Sequence, residues 1–143
     1  MNQNLDFMKT LNDAFQYIQL PIKLQNQNAH GDLYVMTRKE SLKKNPNKLK
    51  AVLHLDMDHL GTLDIHITRE NTAVTAAFYT DNEKTSALFS RNMDMLKDAI
   101  NEQGFAFQGT MNLKEKDVDI VKDFLGAEAP VGDMKRYSFD LRA

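Results

Sequence analysis

The sequence predicts an α+β domain: an antiparallel β-sheet, a meander plus flanking strands, with two main helices packed on one face. Three observations carry that expectation. Leu49, Ala51, Leu53, Leu55 and Met57 alternate with polar residues, and Leu63, Ile65 and Ile67 repeat the pattern. A period of two marks strands with one face on a core. Residues 5–17 and 83–103 instead space their apolar side chains by three and four, as a helix with one buried stripe does. Short runs of turn formers separate these stretches.

Taken in order, Leu5, Met8, Leu11, Phe15 and Ile18 form the first helical stripe. Pro21 forbids its continuation, because the ring removes a backbone donor and biases its predecessor toward extended geometry. Leu20, Ile22 and Leu24 then suggest a strand over residues 19–27, and Asn28 to Asp32 a turn. Residues 33–37 read as the returning strand. Residues 38–50 read as a long hairpin loop with a basic skin: Arg38, Lys39, Lys43, Lys44, Lys48 and Lys50 are set against the single acid Glu40. Such a patch suits an acidic partner surface.

Strands are expected at 49–57 and 62–68 around the turn Asp58-His59-Leu60-Gly61, where Gly61 can take positive φ. Glu70-Asn71-Thr72 makes the next turn and residues 73–80 the next strand. Thr80 and Glu83 have capping-box spacing for the second helix. Leu88, Phe89, Met93, Leu96 and Ile100 form its buried face, and Gly104 ends it. A strand returns over 105–111. Asn112 to Glu115 caps a short third helix with Val118, Val121, Phe124 and Leu125 inward. Residues 126–133 form a linker, and the alternation Tyr137, Phe139, Leu141 a terminal strand that docks on the sheet. The chain reads as a single domain, 1–143, with a core at about 50–112, a helix-plus-hairpin extension over 1–48, and helix, linker and strand over 113–143.

Composition narrows the function classes. A net charge of −2 over 143 residues gives no global pull toward nucleic acid or an anionic membrane. No run of 18 apolar residues suggests membrane insertion. The absence of cysteine excludes disulfides, thiol catalysis and thiolate-held zinc. It fits a cytosolic protein, and equally a chain threaded unfolded through a pore. No nucleophile elbow, phosphate-binding glycine loop or dinucleotide fingerprint occurs. The reading is therefore of a non-enzyme without cofactor, monomeric by preference. Among polar residues, His54 and His66 form the one candidate ligand pair: if Leu55 pairs with Ile65, His54 faces His66 and Asp56 faces Asp64, close enough to share a cation. Simple solvent-facing polarity is the favoured reading of these residues, and a small ligand- or metal-binding module using His54 and His66 is the alternative.

The block Leu53-His-Leu55-Asp-Met57-Asp-His-Leu60-Gly61-Thr-Leu63-Asp-Ile65 resembles the C-terminal domain of flagellar hook-length control proteins, whose pattern ends in L-x-P-x-x-L-G-x-(L/V)-x-(V/I). The following strand, the helix with Leu88 and Leu96, and Gly104-Phe-Ala-Phe agree in type and spacing, so the likeness spans about residues 50–112. The family often has proline where this chain has Met57-Asp58. Its long polar N-terminal half has no counterpart here, so the chain is expected to be a domain of a longer protein or a short relative. The resemblance implies a cytoplasmic or exported switch module. It would contact the cytosolic domain of the flagellar type III export gate and change export specificity when the hook is complete. The residues expected to make that contact are Asp58, His59, Leu60 and Gly61 at the hairpin turn, and Tyr137, Phe139 and Leu141 in the terminal strand.

Overall fold

The computed structural model describes residues 28–36, 47–114 and 135–141, together with positions 16, 19, 22, 23, 26, 44 and 45. Six strands and one helix follow one another: β1 (Ala29–Val35), β2 (Lys48–Met57), β3 (Gly61–Glu70), β4 (Ala73–Thr80), α1 (Glu83–Glu102), β5 (Ala106–Leu113) and β6 (Lys135–Leu141). They form a single sheet in the order β5-β4-β3-β2-β1-β6. All neighbours are antiparallel except β4 and β5, which run parallel.

That parallel pair corrects the expected antiparallel sheet, and its cause is local. A helix of 20 residues is about 30 Å long. It carries the chain from the end of β4 back to the starting level, so β5 must run the same way as β4. Of the second expected main helix, over residues 5–17, Gln16 alone is described, and it is helical; the third, over 118–125, lies outside the described residues. So does the linker at 126–133. Among the described residues α1 is the one complete helix.

The strand expected over 19–27 is not formed: Gln19, Ile22 and Lys23 are helical and Asn26 has φ 53°. Both sides of β1 are taken, by β2 and β6, which leaves no edge for a strand at 19–27 to join. Ile22 instead sits fully buried in the core.

Alternation decides what faces inward. The odd-numbered residues Leu33, Val35, Leu49, Ala51, Leu53, Leu55, Leu63, Ile65 and Ile67 are buried together. α1 lays Leu88, Phe89, Leu96 and Ile100 on the same face. Phe78 meets Phe89 with ring centroids 5.6 Å apart. Two glycines permit close approach: the Phe139 ring fills the space above Gly31, and Met93 of α1 rests on Gly109 of β5.

The helix start departs from the expected capping box. Thr80 is the last residue of β4, and its hydroxyl donates to the Thr62 carbonyl at 2.9 Å while accepting from the Asn82 amide at 3.1 Å. Asn82 is the cap, its side-chain oxygen accepting from the amides of Lys84 and Thr85 at 2.9 and 3.2 Å.

Candidate functional site

The β2–β3 connection is a three-residue loop, because Met57 pairs with Gly61. Gly61 adopts φ 75°, the left-handed conformation that closes such loops. Two hydrogen bonds hold the tip. The Asp58 amide donates to the Asn28 carbonyl at 3.1 Å, ahead of β1. The buried Thr85 hydroxyl donates to the Leu60 carbonyl at 2.5 Å. Asn82 lies within 3.7 Å of where a Gly61 β-carbon would stand. The tip is therefore clamped between the start of β1 and the start of α1. Asp58 and His59 are exposed, while Leu60 is half-buried and packs against the core.

β6 pairs with β1 along its whole length. Tyr137 is 39% exposed on the core-side face of this edge strand, and Phe139 is half-buried over Gly31. The side chain of Leu141 lies outside the described residues. Ala29 pairs on one side with Met57 and on the other with Leu141, so the hairpin tip and the end of β6 share one end of the sheet. They are separated by about 10 Å, two strand spacings.

The basic segment is elsewhere. Arg38, Lys39 and Lys43 lie outside the described residues, and Lys44 is exposed. Lys48 belongs to β2 rather than to a loop, at the end opposite the tip, and its ammonium lies 3.5 Å from Glu70. Lys50, also in β2, is half-buried.

The even-numbered face carries a polar network. The observed register corrects the expected pairing of the two histidines: His54 stands opposite Asp64, and His66 stands opposite Val52. Gly61 joins the ladder directly after a three-residue loop, so Leu55 meets Leu63 rather than Ile65. His54 Nδ1 is hydrogen-bonded to the Asp64 carboxylate, and its Nε2 lies 3.3 Å from Asp56. Lys114 Nζ donates to the other Asp64 oxygen at 3.0 Å. The bond to Asp64 raises the His54 pKa. Burial pushes the Asp64 carboxyl up, but the bonds from His54 and Lys114 outweigh it and hold it below the usual range. Burial lowers the His66 pKa, and its ring lies 4.7 Å from that of Tyr79.

A second cluster joins β1 to β6. His30 Nδ1 lies 2.8 Å from Asp140, and the Ser138 hydroxyl donates to Asp32 at 2.5 Å. The first cluster ties β2, β3 and the end of β5 together and the second ties β1 to β6, which makes both sheet fasteners. Among the described residues no three His, Asp or Glu side chains converge to hold a metal ion, and no helix is long and apolar enough to cross a membrane. The Lys114–Asp64 pair was not legible in the sequence, since 50 positions separate the partners and it takes both the β3–β4 and the β4–β5 registers to bring them together.

Residues 37–117, more than half of the chain, match the family model described as Flagellar hook-length control protein FliK. The match contains β2, β3, β4, α1 and β5 and leaves β1 and β6 outside. Comparison with curated proteins and with solved structures found no match.

Proposed function

The chain belongs to the flagellar hook-length control family, and from that premise we propose that it is a non-enzymatic docking module of the flagellar type III export apparatus. In this reading it engages the cytosolic domain of the export gate and ends the export of hook subunits once the hook is complete. It works in the cytoplasm or after passage into the export channel.

One observation supports the reading above others. The Asp58–Gly61 tip is a corner of the family segment fixed by two hydrogen bonds, with Asp58 and His59 turned to solvent. A corner already held in shape loses little conformational freedom on binding, so its contacts convert efficiently into affinity. Farther along β6 from the end it shares with the tip, Phe139 opposite Gly31 and Tyr137 opposite Leu33 add an aromatic element beside that surface.

The test separates contact from fold. D58A/H59A and Y137A variants are expected to keep the wild-type melting temperature while producing hooks of uncontrolled length and few filaments. Wild-type hook-length distributions in both variants would overturn the docking assignment.

A further inference from the structure

We propose that β6 is a self-association edge, and that two copies of this chain join through it as an antiparallel β6–β6 pair. The proposal stands apart from the docking reading: it is measured on the isolated protein, and β6 lies outside the family segment.

The backbone fixes which groups are available. The Met36 amide donates to Lys50 and the Asp58 amide to Asn28, both in step with the β1–β2 register. Even-numbered residues of β1 therefore direct their N–H and C=O groups toward β2, and odd-numbered ones toward β6. It follows from the β1–β6 register that Tyr137 and Phe139 bond to β1, while Arg136, Ser138 and Asp140 turn their backbone groups outward. Among the described residues β6 closes the sheet on this side, with Arg136, Ser138 and Asp140 all exposed.

Charge then selects the occupant and the register. Sequence around Ser138 is complementary to itself when reversed. With Ser138 opposite Ser138, Arg136 of each copy faces Asp140 of the other, and Tyr137 faces Phe139. Centring the two-fold axis on Arg136 or on Asp140 instead sets like charges against each other. Opposite charges across a pair stabilise it and like charges oppose it. Charges on an edge strand ordinarily discourage pairing; here their spacing makes one self-pairing favourable. The half-exposed Tyr137 gains an aromatic neighbour in that arrangement. At the other edge, β5 carries no charged residue and so has nothing of this kind to fix a register.

The dimer should be weak, because one seven-residue edge gives an interface at the small end of the usual range. Sedimentation equilibrium on the full chain is expected to show a monomer–dimer equilibrium with a dissociation constant of roughly 10–300 µM. R136E should weaken it by about tenfold or more, and R136E/D140K should restore it. S138P removes an outward N–H that β1 does not use, a position where an edge strand tolerates proline, and should abolish the dimer. Melting curves establish that each variant is folded; if S138P is not, the charge-reversal pair decides. A wild-type chain that stays monomeric up to roughly 1 mM would overturn the proposal. So would a folded S138P that dimerises like wild type, or an R136E/D140K no tighter than R136E.

Discussion

Asp64 is buried between two cationic partners, and the pH dependence of stability follows from that position. His54 is held above its usual 6.5, so its contribution is complete below about that pH and is lost as pH rises through the folded value. Asp64 is held below its usual 3.8, so its contribution is present above that and is lost as pH falls through the lower folded value. His66 runs the other way, since burial lowers its pKa and acidification works against the fold there. The His54 share is isolated by comparing wild type with His54→Gln in denaturant titrations. The stability difference should shrink as pH rises above about 6.5 and through the raised folded value; a constant difference would refute the account. At Gly31 the argument is steric. A β-carbon would collide with the Phe139 ring, so Gly31→Ala should lose about 1–3 kcal/mol in urea titration. Adding Phe139→Ala should recover part of that loss.

Elements were legible where periodicity is long, and less so where side chains compete for one role. The strand over 73–80 and the helix from Glu83 to Glu102 follow directly from spacing. The cap moved two residues because the Thr80 hydroxyl serves the β3–β4 pairing, which a local motif does not reveal. Asn82→Ala should therefore destabilise the protein by about 1 kcal/mol in thermal or chemical unfolding. The direction of β5 followed from α1 once its length was known, and the His54–Asp64 pairing depended on a two-residue difference in register. The strand expected at 19–27 failed for a non-local reason: β1 finds its second neighbour more than 100 positions downstream, at β6.

For the whole molecule, the odd-numbered aliphatics of β2 and β3 determine the core, and the family segment is built around them. That much could be read from alternation alone. The fasteners on the opposite face could not, because His30–Asp140 and Lys114–Asp64 exist only after six strands have found their order. The strand order has a mechanical consequence. Tension applied at the C-terminal end meets β6 at one rim, then β5 at the other, then α1, and then β4, β3 and β2, each of them outermost when its turn comes. Among the described strands, a pull from that end frees one outermost ribbon after another, whereas a pull from the opposite end has to drag β1 from between two neighbours.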